Sequence, residues 1–195
     1  KQLTERIHRT VLEIDLDAVT HNLNVYRHLL KPETKLLIMV KALAYGSGGS
    51  EIAHLLQFHK VDYLGVAYVD EAVQLRKAGI NLPIMVINPS EEDLPNLVTY
   101  NIEPEIYSFV QLKVFSEFYM KKGIELKGHF TINTGMNRLG FDPEDLEALV
   151  NELKHLHHVK VQSLYTHLAA SDEAEHADFS LQQLRTFKTY AEKVE

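Results

Sequence analysis

The chain has no cysteine, which excludes disulfides, thiolate catalysis and thiolate-bound zinc. No GxGxxG string follows the first apolar run, so the usual support for a dinucleotide-binding open sheet is missing. No apolar run approaches the roughly 20 residues that span a bilayer, and no membrane partner is expected. Histidines are numerous, at 11, yet no HExxH spacing occurs. His157 and His158 are adjacent and point in different directions on a helix or a strand, so no metal site is expected. Positive charge is also short. A formal net charge of −7 disfavours nucleic acid as the main partner, although a local basic pocket for a small anion fits the composition. No leader-like segment opens the sequence, and the expected location is the cytoplasm. The sequence starts at Lys1, and helical periodicity persists through Phe179 to Glu195. It therefore reads as a piece of a longer polypeptide.

What is present is alternation. Val11–Leu16 reads as a short strand or extended lead-in, after which Asp17 is suited to cap a helix carrying Val19, Leu23, Tyr26 and Leu30 on one face. Strands are expected at Lys35–Lys41, Tyr63–Ala67, Ile84–Ile87, Glu103–Tyr107, Leu126–Ile132 and Val159–Leu164. The first of these is apolar enough to be buried on both faces. Helices are expected at Ser50–Phe58, from Asp70 as cap to Ala78, at Glu91–Thr99, Phe109–Lys121, Pro143–Leu156 and Asp178–Val194. Pro95 makes the Glu91–Thr99 helix short or irregular. Six β-α units in series imply a parallel sheet with right-handed crossovers. A complete (β/α)8 barrel takes about 250 residues. The 195 residues fit an α/β fold of that TIM type, truncated to about six β-α units and forming one incomplete barrel domain.

In such a sheet, function gathers at the C-terminal strand ends. Lys41 ends the most hydrophobic strand, in MVKALAYGSG. Apolar surroundings favour a neutral amine, and a neutral amine condenses with an aldehyde. Tyr45 and a glycine loop follow it. The same residues are consistent with a lysine snorkelling from a strand end beside a simple turn. In TINTGMNRLG, Thr131 and Asn133 alternate with Phe130 and Ile132, as the lining of a cavity does, and Arg138 is either a fixed cation beside it or a surface residue. His167, in LYTHLAASDE just past the sixth strand, either orients another group or is structural.

These strings resemble those of the alanine racemases. VKALAYGSG is similar to the family's VKANAYGHG, TGMNRLG to TGMxRxG, and YTHLAASDE to THxAxAD; LEIDLDAVTHNL resembles the family's opening. The resemblance runs from about Val11 to the end of the chain. It implies that Lys41 carries pyridoxal 5'-phosphate and that Tyr45 contacts the phosphate. It also implies that Arg138 lies beside the cofactor's phenolic oxygen, that Met136 borders the substrate region, and that His167 packs on the ring. The implied activity is interconversion of L- and D-alanine for peptidoglycan synthesis, with Lys41 as the base on one face of Cα. The opposing base in the family comes from a C-terminal β-domain of the partner subunit, which is absent here. The 195 residues are therefore expected to be inactive alone, and the unclosed barrel is expected to self-associate, as a homodimer. The opening and TINTGMNRLG also resemble the racemase half of fused muropeptide ligase–racemases. Other readings of the same fold are a non-catalytic barrel that binds the cofactor for regulation or homeostasis, and a purely structural segment.

Two positions depart from the pattern. Many family members have a lysine, often carbamylated, seven residues before the arginine, and an Asp two residues after it. Here those positions are Thr131 and Asn133. Arg138 then lacks its usual counter-charge, and a bound chloride or the Asn133 amide oxygen is expected to fill that role. Leu43 and Ser47 also stand where the motif has Asn and His, and both changes are expected to be tolerated.

Overall fold

The computed structural model describes residues 10–194. The elements follow one another as α1 (Leu16–Leu29), β1 (Leu37–Met39), α2 (Lys41–Tyr45), α3 (Gly49–Phe58), β2 (Tyr63–Val66), α4 (Val69–Lys77), β3 (Ile84–Val86), α5 (Leu94–Thr99), β4 (Glu103–Ile106), α6 (Phe109–Lys122), β5 (Leu126–Thr131), α7 (Leu146–His155), β6 (Val159–Tyr165) and α8 (Ala177–Val194). The six strands form one parallel sheet in sequential order, β1 to β6. A doubly wound sheet reverses its order at a switch point; this one never does. With right-handed crossovers, an unreversed order puts every connecting helix on one outer face and leaves the other face to line a barrel interior.

The outer face of the strands supplies the core. Leu64, Val66, Ile84, Val86, Ile106 and Phe130 are fully buried between sheet and helices. They meet helix residues such as Ala53, Ala72, Leu97, Leu112 and Leu149. Phe130 and Ile132 are buried in this layer while Thr131 and Asn133 line the interior cavity, as the period-2 pattern requires.

Several local expectations need correction. Residues 10–15 form no strand, and Asp15, not Asp17, caps α1 by accepting from the backbone N–H of Asp17 and Ala18. Within α1, Leu23 is buried but Tyr26 is 64% exposed. β1 is shorter than its apolar run and is not covered on both faces; Leu37 is exposed. The reason is topological: among the described residues β1 pairs only with β2, as β6 pairs only with β5. An edge strand lacks the neighbour whose side chains would complete its burial. Asp70 does not cap α4. The Glu71 carboxylate does, accepting from the N–H groups of Ala67 and Tyr68. The proline in the fifth helix behaves as expected: a 3-10 turn at Glu91–Asp93 precedes α5, and Pro95 stands in its first turn.

Register brings interior residues into layers. Met39, Gly65, Met85 and Glu103 are successive partners across β1 to β4, and Glu105, His129 and Ser163 across β4 to β6. Gly65 makes room for its neighbour, because a Cβ there would lie 2.3 Å from Met39 Sδ. The β5–β6 register shifts between Gly128 and His129. This bulge turns both Gln162 and Ser163 towards the interior cavity.

Candidate active site

Lys41 stands where β1 gives way to an unusual turn. Val40 still donates to the Gly65 carbonyl at 2.8 Å, but the next residues leave the strand. Ala42, Leu43, Ala44 and Tyr45 all have φ between 51° and 55°. None is glycine, and left-handed backbone costs about 1–2 kcal/mol per such residue. The turn closes on its own backbone, with Ala44 N–H donating to the Val40 carbonyl and Gly46 N–H to the Ala42 carbonyl, both at 2.9 Å, and further support comes from outside it. Glu71 Oε1 accepts from the Ala42 N–H at 2.6 Å, while its other oxygen caps α4. Gly49 packs against Leu43, where a Cβ would lie a tight 3.3 Å from Leu43 Cα. The turn reverses quickly and keeps Lys41 and Tyr45 on one wall, with Lys41 Nζ 6.0 Å from the Tyr45 ring centroid. Tyr45 is exposed at the rim.

The loop after β5 is closed by its own backbone. Phe141 N–H donates to the Thr131 carbonyl and Asn133 N–H to the Phe141 carbonyl, both at 2.9 Å. Asn133 is the knot of this loop. Its Oδ1 accepts from the N–H of Gly135 and Asn137, and its Nδ2 donates to Asn137 Oδ1 and Asp142 Oδ1. The expectation that the Asn133 amide oxygen serves Arg138 is therefore corrected: that oxygen is engaged by the loop. Met136 and Arg138 project from the same loop beside the cavity.

His167 follows β6. Thr166 Oγ1 donates to the Ile132 carbonyl at 2.8 Å, tying this loop to the end of β5. The wholly buried Gln183 of α8 donates to the His167 carbonyl and to Thr134 Oγ1, and accepts from Ala169 N–H. Partial burial lowers the His167 pKa, and the charges of Arg138 and Lys41 lower it further. A neutral imidazole at neutral pH follows.

Beneath these residues lies a polar layer that sequence reasoning missed. Glu105, 4% exposed, accepts on Oε1 from the hydroxyls of Thr131 and Tyr165. Burial raises its pKa, and the two hydroxyls with the charge of Arg138 oppose that rise. Tyr165 is pushed far up by burial and by Glu105. One layer down, His129 donates from Nε2 to Glu103 at 3.0 Å and shares a 2.7 Å hydrogen bond with Ser163. Tyr63 donates to the same Glu103 oxygen and accepts from Gln162. Burial alone raises the Glu103 carboxyl, but the His129 hydrogen bond and charge, with the Tyr63 hydroxyl, bring it below the usual range.

Lys41, Tyr45, Met136, Arg138 and His167 all border one cavity of about 790 Å³, together with Glu105, Thr131 and Tyr165. Its apolar wall includes Met39, Met85 and Leu139. An amine, a guanidinium, a neutral imidazole and several phenols thus face a space of the size that holds a small cofactor with its substrate.

The family model for the alanine racemase N-terminal domain matches residues 14–195. The alanine racemase of Desulfovibrio desulfuricans is 37% identical over 94% of this chain and 49% of its own length. That of Clostridium perfringens is 40% identical over 83% of this chain and 42% of its own. Among solved structures, alanine racemase from Clostridium difficile in complex with cycloserine superposes with a TM-score of 0.86 at 32% identity, covering 92% of this chain and 50% of that one. The chain spans about half the length of the curated relatives it matches.

Proposed function

The chain belongs to the alanine racemase family, through that family's N-terminal domain, and on this premise we propose that the protein is a pyridoxal-phosphate-dependent enzyme that interconverts L-alanine and D-alanine. The observation that carries the reading is the convergence of Lys41, Tyr45, Met136, Arg138 and His167 on one cavity.

The residues present fit the cofactor. Lys41 offers an amine at the cavity wall, and Tyr45 a phenol beside the glycine loop, where it can donate to a phosphate. The neutral His167 imidazole suits the face of a pyridine ring, and Arg138 suits its phenolic oxygen. When bound, the cofactor supplies an electron sink that acidifies the substrate Cα–H. With the cofactor bound, Lys41 would be the residue placed to take or return that proton on one face. Inversion needs a second base on the opposite face. None of the five residues named above is assigned that role, and the chain spans about half the length of the curated relatives it matches.

The wider setting follows the same reading: supply of D-alanine for peptidoglycan, a cytoplasmic location, and a homodimer. No described helix is long and apolar enough to cross a membrane. The test is alanine racemisation by the full-length protein supplied with cofactor. We expect activity, and a loss of more than about 100-fold in kcat for Lys41→Ala. Tight cofactor binding with no turnover would favour the homeostasis barrel instead.

A further inference from the structure

Arg138 is exposed on its loop and makes no hydrogen bond or ion pair with any described residue. The amide first expected to serve it, Asn133, is engaged elsewhere. Yet the same cavity holds a buried carboxylate that the proposed chemistry does not use. Glu105 is fixed from three strands at once: its own β4, Thr131 on β5 and Tyr165 on β6, the last two being register partners. Both hydroxyls donate to Oε1. Oε2 accepts from no described residue, and Glu105 borders the cavity.

His129, the nearest basic side chain in the layer below, is held by Glu103 and Ser163. Besides His129, the charge that reaches the Glu105 carboxylate is that of Arg138. A buried carboxylate with hydroxyls on one oxygen and an open second oxygen is poised to accept from a guanidinium.

We propose that Glu105 is the built-in counter-charge that positions Arg138 at the rim, in place of any halide or carbamylated lysine. Thr131 then has a definite role, because its hydroxyl holds Glu105 from the position where many relatives carry a lysine. When ionised, the Glu105 carboxylate also repels a small anion from the space beside Arg138 and so disfavours the chloride expected from sequence. The consequence for catalysis rests on the cofactor reading above; the pairing itself does not.

The experiment uses the full-length protein freed of cofactor. Wild type, Glu105→Ala, Glu105→Gln and the double variant Glu105→Ala/Arg138→Ala are titrated with bromide. Thermal stability is followed at constant ionic strength, and anomalous diffraction locates the ion. We expect Glu105→Ala to gain saturable bromide binding about tenfold or more tighter than wild type, with bromide beside Arg138, and the double variant to lose it. Glu105→Gln keeps the side-chain volume and an acceptor for both hydroxyls. It carries the same test if Glu105→Ala does not fold. Bromide beside Arg138 in wild type, or indifference of the folded single variants to bromide, would overturn the proposal. A protein that shows the bromide switch but forms no adduct at Lys41 would overturn the cofactor reading alone.

Discussion

The Glu71 carboxylate joins two elements that nothing in the local sequence couples: one oxygen accepts from Ala42 N–H in the left-handed turn, the other from Ala67 and Tyr68 N–H at the start of α4. The turn that presents Lys41 is thus held from β2's side of the barrel. Charge-assisted hydrogen bonds contribute about 1.5–3 kcal/mol when they are well formed. Glu71→Ala is expected to cost about 1–3 kcal/mol in urea unfolding and to weaken cofactor binding. Stability lost with cofactor affinity unchanged would show that the turn does not depend on this carboxylate.

Glu103 and Glu105 share one face of β4 but carry opposite pH signatures. Glu103 has a folded pKa below its unfolded one. It therefore contributes stability above the unfolded value that is lost as pH falls through the folded value. Glu105 has a raised folded pKa. Its contribution is present below the unfolded value and is lost as pH rises through the folded one. Hence Glu103→Gln should destabilise by about 1–3 kcal/mol at neutral pH, whereas Glu105→Gln should be as stable as wild type or more so. Urea unfolding between about pH 4 and 7 checks both signs. A larger loss for Glu105→Gln than for Glu103→Gln at neutral pH would contradict them.

Arg138 depresses both His167 and Glu105. Removing its charge in Arg138→Ala should raise the pKa of both groups, so that His167 protonates at a higher pH. NMR titration of the imidazole resonances reads this directly. An unchanged His167 would place Arg138 too far from the ring to order it.

Gly140 closes the β5 loop at φ +124°, where a Cβ would lie 2.7 Å from Asn133 N and 3.0 Å from the Thr131 carbonyl oxygen. These are backbone atoms that cannot step aside. Gly140→Ala is expected to cost about 1–3 kcal/mol and to displace Arg138, lowering cofactor affinity as well as the unfolding midpoint.

The residues proposed to carry the chemistry were legible where they sit in contiguous strings. Lys41 with Tyr45, and Met136 with Arg138, are each local to one strand end, and the β-α rhythm places those ends on one rim. The polar layer was harder to read because its partners lie on different strands. The EPEI segment reads as a weak strand interrupted by Pro104. Yet two glutamates spaced by two in a sheet whose faces are both buried must point one way and must find partners. That was the available signal for Glu103 and Glu105. The turn after Lys41 was not legible at all: KALAY is made mostly of residues that favour right-handed helix, and its opposite hand is supported by Glu71 and Gly49, which are distant in sequence or outside the string. Asp15 was passed over for Asp17 because both are good caps, and only the geometry of the first turn separates them.

The central claim is that the Lys41 amine faces the cavity and condenses with the cofactor aldehyde. Borohydride reduction of the full-length protein with bound pyridoxal phosphate, followed by digestion and mass mapping, tests it most directly. The account predicts a stable phosphopyridoxyl group on the peptide containing Lys41 and on no other. Reduction that leaves Lys41 unmodified, or that labels surface lysines equally, would contradict it.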